Sequence, residues 1–96
     1  MFSAWLYIMS NRPNGTIYIG VTTRLVERVG EHKEGVVPGF TKRYGLKCLV
    51  YYEGHDSIEA AIQREKTMKT WRRAWKVRLI NEFNPSWDDL HDSLMQ

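Results

Sequence analysis

Two stretches near the start of the chain are almost unbroken in apolar and aromatic residues. Ala4 to Met9 and Thr16 to Val21 are rich in Tyr, Ile, Val and Trp and read as strands. Between them, Ser10-Asn11-Arg12-Pro13-Asn14-Gly15 is dense in turn formers, so the two strands form a hairpin. The pattern then changes to a helical period. Leu25, Arg28, Val29 and His32 recur at i, i+3, i+4 and i+7, in a helix that Thr22 or Thr23 can cap and that runs to about Lys33. A loop containing Gly35, Pro38 and Gly39 follows, and Cys48 to Tyr52 is a third strand. Ser57 opens a long helix reaching about Thr70; another spans Trp71 to Phe83, with a short turn after Pro85. The predicted fold class is α/β, a small three-stranded antiparallel sheet flanked by helices in the order β-β-α-β-α-α. It forms one domain over residues 1–96.

Three features of this pattern place polar side chains where a core should be. Pairing Tyr7 with Tyr18 across the hairpin puts two phenols side by side on one face and leaves a four-residue loop. Both are equally at home as ordinary sheet tyrosines. Arg28 and His32 lie one turn apart on the inward stripe of the first helix. A buried arginine demands an anion, which the protein supplies as a carboxylate or a substrate supplies as phosphate. Glu65 shares the stripe of Ile58, Ala61, Ile62 and Met68, and a carboxylate so placed needs a buried partner or a metal. A salt bridge to Arg28 would satisfy both residues.

Composition narrows the class. The 96 residues are 43% apolar and 26% charged, which excludes disordered and low-complexity readings. One cysteine, Cys48, rules out an internal disulfide framework and a cysteine-built zinc site. The apolar start, Phe2 to Met9, is too short for a membrane span and lacks the basic lead of a signal peptide, so a reduced cytoplasmic protein with no membrane partner is expected. Net charge is +3, and its distribution is uneven. Arg64, Lys66, Lys69, Arg72, Arg73, Lys76 and Arg78 are opposed in their stretch by Glu65 alone, whereas the tail carries Asp88, Asp89 and Asp92. Such a stretch is either a solvated helix face or a nucleic-acid footprint.

The same positions carry a family resemblance. Trp5-Leu6-Tyr7 and Tyr18-Ile19-Gly20, with ten residues between the tyrosines, resemble the two strand motifs that name the GIY-YIG endonucleases. The likeness continues through Arg28, His32, Gly39-Phe40-Thr41-Lys42-Arg43-Tyr44, Leu49-Val50-Tyr51-Tyr52-Glu53, Arg64-Glu65-Lys66 and Asn84-Pro85-Ser86-Trp87, and covers nearly the whole chain. Its nearest branch is the single-domain bacterial predicted endonucleases. Two departures stand out. The first motif keeps only its tyrosine, and Val21, Thr22 and Thr23 occupy the place where some relatives carry a lysine.

The resemblance implies a metal-dependent DNA endonuclease leaving 5′-phosphate and 3′-hydroxyl ends. It implies one divalent ion, Mg²⁺ or Mn²⁺, on Glu65, with Arg28 on the scissile phosphate. Tyr7 or Tyr18 would activate the water; His32 would orient a tyrosine or serve as the base itself, and Tyr7 ranks first. Asn84 is expected to be a supporting or structural residue, and Gly20 to let the next helix approach closely. Lys42, Arg43, Arg72, Arg73 and Lys76 are candidates for the sugar–phosphate backbone, each also readable as solvated surface. Trp71 and Trp75 either stack bases or, with Leu79, belong to the core. His55, His91 and Cys48 read as structural or incidental. So short a chain favours substrates chosen by structure, single-stranded or branched DNA, over a long specific sequence. Two alternatives remain: a non-catalytic nucleic-acid-binding domain, and a nuclease subunit targeted by a protein partner.

Overall fold

The computed structural model describes residues 1–95. Its elements run β1 (Ala4–Ser10), β2 (Ile17–Thr22), α1 (Leu25–Glu34), α2 (Phe40–Tyr44), β3 (Cys48–His55), α3 (Ile58–Lys69), α4 (Arg73–Phe83) and α5 (His91–Leu94). The predicted antiparallel three-stranded sheet is present in the order β2-β1-β3. The central strand β1 is covered on both faces, which explains its near-continuous apolar sequence. Its Leu6 and Ile8 pack with Ile19, Val50, Met68 of α3, Ile80 of α4 and Trp87. Tyr7 and Met9 face the other way, onto Leu25 and Val29 of α1, with Leu46 and Leu49. Between Ile8 and Met9 the pairing with β3 slips by one residue, so Val50 and Tyr51 both turn to the α3 side. Burying each such large apolar side chain contributes roughly 1.5–3 kcal/mol.

The hairpin register differs from the expected one. Tyr7 pairs with Gly20, and Met9 pairs with Tyr18. The slip is two residues, so both tyrosines keep the same face but stand diagonally rather than opposite. The loop is correspondingly wider and closes through its own groups. Asn11 Oδ1 accepts from the Thr16 amide at 3.0 Å, and the Gly15 amide donates to the Arg12 carbonyl at 3.0 Å. Asn14 takes the left-handed conformation, with φ of 57°.

Other boundaries moved for local reasons. Thr22 Oγ1 accepts from the Arg24 amide at 3.0 Å, a turn that delays α1 to Leu25 instead of capping it. The segment read as a loop contains α2, a single turn whose ends at Gly39 and Gly45 have positive φ. Strand β3 continues to His55. Ser57 caps α3 as expected, accepting from the Ala60 amide at 3.1 Å. Helix α4 starts at Arg73, two residues later than predicted, leaving Trp71 in the connection.

The C-terminal segment is fastened by side chains. Asp89 pairs with Lys33 of α1 and accepts from the Leu49 and His91 amides. Asn84 is buried at the end of α4. Its Nδ2 donates to the Val50 and Asp88 carbonyls at 3.1 and 2.9 Å, and its Oδ1 accepts from the Asp88 amide at 3.2 Å. These bonds hold the loop in which Trp87 sits at φ 54° while its ring enters the core. Asn84→Ala orphans those backbone groups and is expected to lower stability by about 2–3 kcal/mol, read from the urea midpoint at unchanged slope.

Candidate active site

The site begins with a missing side chain. Residue 20 on the edge strand faces Tyr7, and a Cβ there would stand 2.5 Å from both Cζ and Oη of that tyrosine. Gly20 therefore makes room for the Tyr7 ring on the neighbouring strand. That corrects the expectation that it admits the following helix. Lying across this gap, the Tyr7 hydroxyl meets His32 Nε2 at 2.8 Å, with the two residues only 1% and 2% exposed. On its far side His32 Nδ1 meets Thr41 Oγ1 at 2.8 Å. A hydroxyl, an imidazole and a second hydroxyl thus form one buried chain from β1 through α1 to α2. Tyr18 completes a ring cluster, its centroid 6.4 Å from Tyr7 and 5.7 Å from His32.

Burial sets the protonation of this chain. It pushes the Tyr7 phenol up to about 12, against the pull of the nearby Arg28 guanidinium, which favours the phenolate. Burial also lowers the pKa of His32, and the positive charge of Arg28 lowers it further. A neutral imidazole has one donor and one acceptor nitrogen, so two arrangements are available. In one, Tyr7 donates to Nε2 while Nδ1–H donates to Thr41, which leaves the Tyr7 oxygen free to accept another proton. In the other, both bonds reverse.

Arg28 extends from α1 to the rim of the site, with its side chain 40% exposed. Its carboxylate partner is Glu31, at 3.3 Å and one turn on, and not Glu65. The Arg28–Glu65 salt bridge, the structural alternative to a metal or phosphate, is absent among the described residues. Glu65 comes instead from α3, which packs under β1 and β2 from the opposite layer. Its carboxylate lies 3.4 Å from Lys69, and its negative charge reaches Tyr7. Tyr7, Tyr18, Arg28 and His32 thus gather on the α1 side of the sheet, whereas Glu65 stands on α3, which packs on the other side of β1 and β2.

The remaining candidates divide. Lys42 and Arg43 are exposed on α2, beside the site. Lys76 of α4 joins Lys69, Tyr18 and Phe40 in lining a cleft of about 240 Å³ along β2. Arg72 lies over the Trp75 ring, 5.8 Å from its centroid. Arg73 is engaged elsewhere: its Nη2 donates to the Asn14 and Gly15 carbonyls at 2.9 and 2.5 Å and braces the hairpin. The bonds of Asn84 run to backbone groups, and none reaches the tyrosines, Arg28, His32 or Glu65. Trp71 packs on the core, but Trp75 is 52% exposed, contrary to the core reading. His91 Nε2 bonds the Val26 carbonyl, and His55 pairs with Glu53.

Sequence reasoning missed the role of Thr41. A single helical turn has too few residues to show a period, so nothing marked this threonine as inward-facing. It also missed Phe40, which stacks on Tyr18 at 6.4 Å and 26°. Arg64, counted in the basic stretch, belongs to a separate cluster in which Glu53 accepts from Tyr51, His55 and Arg64.

An arginine at the rim, a carboxylate on the neighbouring layer and a buried hydroxyl–imidazole chain are parts a phosphodiester hydrolase uses. Comparison with known proteins agrees. The GIY-YIG catalytic domain model matches residues 3–81. A UPF0213 protein of Natronomonas pharaonis is 38% identical over 76 residues, covering 79% of this chain and 88% of its own. UPF0213 proteins of Staphylococcus haemolyticus and Staphylococcus aureus are 33% and 34% identical over 82 residues, covering 85% of this chain and 99% of theirs. No solved structure matches. The chain belongs to the GIY-YIG family, a family of nucleases.

The neutral, buried His32 has a measurable consequence. As pH falls through 6.5, the ordinary histidine value, the unfolded chain gains a proton that the folded chain refuses until its own lower pKa is reached. This loss is therefore absent above pH 6.5 and grows below it. The urea-unfolding free energy is expected to drop between about pH 7 and about pH 5, and His32→Gln to flatten that drop even where the variant is less stable throughout.

Proposed function

We propose that this protein is a metal-dependent DNA endonuclease that prefers single-stranded or branched DNA and reads little sequence. The observation that carries this reading is the gathering of Tyr7, Tyr18, Arg28 and His32 on one face of the sheet, with the charge of Glu65 on α3 bearing on Tyr7. Arg28 would hold the scissile phosphate, because its fork of donors matches paired oxygens and its exposed position lets a strand reach it.

Tyr7 is the preferred base. In the arrangement where its hydroxyl donates to His32 Nε2, its oxygen can take a proton from the attacking water as its own proton passes to Nε2. His32 then carries the charge only in passing, against the burial and the Arg28 charge that keep it neutral at rest, with Nδ1–H still held by Thr41. This answers the difficulty of a phenol pushed up to about 12, since no free phenolate has to accumulate. The water oxygen bonds to phosphorus, the P–O3′ bond breaks, and the 3′ oxygen takes a proton from solvent. Tyr18 would position the water or the phosphate beside Tyr7.

The donor set suits one hard divalent ion, Mg²⁺ or Mn²⁺, on Glu65. Among the described residues no group of three or more His, Cys, Asp or Glu comes together, so waters and phosphate oxygens would supply most of the ion's ligands beside Glu65. The carboxylate is partly open, and its ion-pair partner Lys69 is itself exposed, so neither walls it off. When bound, the ion would neutralise charge developing on the phosphate. Lys42, Arg43, Arg72 and Lys76 would track the backbone, with Arg73 acting through the hairpin it braces. A targeting protein partner is compatible with this site. No helix among the described residues is long and apolar enough to cross a membrane, and the one free cysteine fits a reduced cytoplasm.

The test is incubation of circular single-stranded DNA and supercoiled plasmid with Mg²⁺, Mn²⁺ or EDTA. Cutting is expected only with metal, and faster on the single-stranded circle. Glu65→Gln should abolish it while DNA binding persists, and Tyr7→Phe should lower turnover by about 10²–10⁴-fold. Full activity of Glu65→Gln would remove the metal assignment. Salt-sensitive binding with no cutting by the natural chain would leave a binding domain or a partner-dependent subunit.

A further inference from the structure

Helix α2 does more than carry Thr41 to His32. Its two aromatic residues point into solvent: Phe40 is 45% exposed and Tyr44 48% exposed. They pack on each other with centroids 4.8 Å apart, and Phe40 stacks in turn on Tyr18. An aromatic row therefore runs from the buried Tyr7, through Tyr18, to the outer face of α2. The Arg43 guanidinium lies over Tyr44, 5.5 Å from its centroid. From Gly35 to Tyr52 the chain contains no acidic residue, while Lys42, Arg43 and Lys47 fall in that span. Phe40 also lines the cleft along β2 together with Lys69 and Lys76.

We propose that α2 is a stacking subsite for an unpaired base of the DNA strand next to the scissile phosphate. The base lies against the exposed part of Phe40 with its edge on Tyr44, whose ring is tilted 48° to that of Phe40, and its flanking phosphates meet Lys42 and Arg43. Three observations support this occupant. Half-exposed aromatic rings beside cations, on a segment that itself holds no acidic residue, match the alternation of bases and phosphates in a single strand. The row is continuous with the candidate site through Tyr18, which touches both Phe40 and the Tyr7 ring. Thr41 ties the short helix to His32, which fixes the platform relative to the site and lowers the ordering needed on binding. Paired bases in a duplex present no free face to Phe40, so the subsite separates single strands from duplexes by geometry. This inference rests on the nuclease reading and adds to it the element that selects the unpaired strand.

The experiment is an anisotropy titration in EDTA of the natural chain with three labelled oligonucleotides: a single strand, the same strand with abasic sites along its length, and its duplex. The intact single strand is expected to bind tighter than the abasic strand. Phe40→Ala and Tyr44→Ala should each weaken single-strand binding by about 5- to 100-fold, the usual effect of losing one stacked base. They should leave abasic and duplex binding unchanged, and Phe40→Trp should restore the preference. Equal binding of intact and abasic strands by the natural chain overturns the subsite without any variant, so a misfolded Phe40→Ala cannot shield it. Equal weakening on all three probes, or no weakening, overturns it as well. In those cases metal-dependent cutting by the natural chain would still stand. Loss of both cutting and binding would instead remove the nuclease reading on which the subsite rests.

Discussion

The arrangement of the candidate site depends on the absence of one side chain. A β-strand normally fills both faces with side chains, and a tyrosine opposite any residue but glycine would be turned aside. At position 20 the Tyr7 ring occupies the space that a Cβ would need, lying within van der Waals overlap of it. That placement delivers the hydroxyl to His32, and His32 in turn meets Thr41. Two elements far apart in sequence are thereby fixed to the central strand. If Tyr7 moved, His32 would lose its only partner on that side, and a buried polar nitrogen without a partner costs about 1–3 kcal/mol. Packing and chemistry are therefore coupled through the same contact.

Much of this was legible in the sequence because side-chain parity survives small errors. The register drawn for the hairpin was wrong by two residues, yet a slip of two leaves every side chain on its face. Tyr7 and Tyr18 therefore remained together even though neither lies opposite the other. The stripe of Leu25, Val29 and His32 was equally secure, since ten residues of helix display their period clearly. What stayed hidden was short or relational. Helix α2 has five residues, too few for a period, and glycines at both its ends resemble a loop. Nothing local to Arg28 or Glu65 says that the first pairs with Glu31 and the second with Lys69. Trp75 read as core because its spacing with Trp71 and Leu79 is helical; those two do pack against the core, whereas Trp75 between them is exposed.

The basic stretch illustrates how folding redistributes charge. In sequence it is one block of seven cations against one acid. In the fold Arg64 is drawn to Glu53, Arg78 to Glu82, Lys69 to Glu65, and Arg73 to the hairpin carbonyls. Net charge is thus a poor guide to where a polyanion would rest. Fields from exposed charges fade within about 8 Å at physiological ionic strength, so only cations near the edge strand bear on the site. Those are Lys69 and Lys76 beside the β2 cleft and, on α2, Lys42 and Arg43.

Glu65 is the apparent misfit in such a surroundings. A carboxylate close to the place where Arg28 would hold a phosphate repels that phosphate, and Lys69 at 3.4 Å is too exposed to cancel the repulsion fully. An apolar or amide residue at position 65 would make a better resting place for a strand. The carboxylate makes electrostatic sense if Glu65 holds a divalent cation, which would be the largest charge in the site and would reverse the sign of its interaction with a phosphate. The same ion would add its field to that of Arg28 at Tyr7, opposing the burial that holds the phenol protonated. On the proposed reading the two difficulties are met separately: a bound cation would offset the charge of Glu65, and His32, by taking the Tyr7 proton, spares the buried phenol from ionising freely.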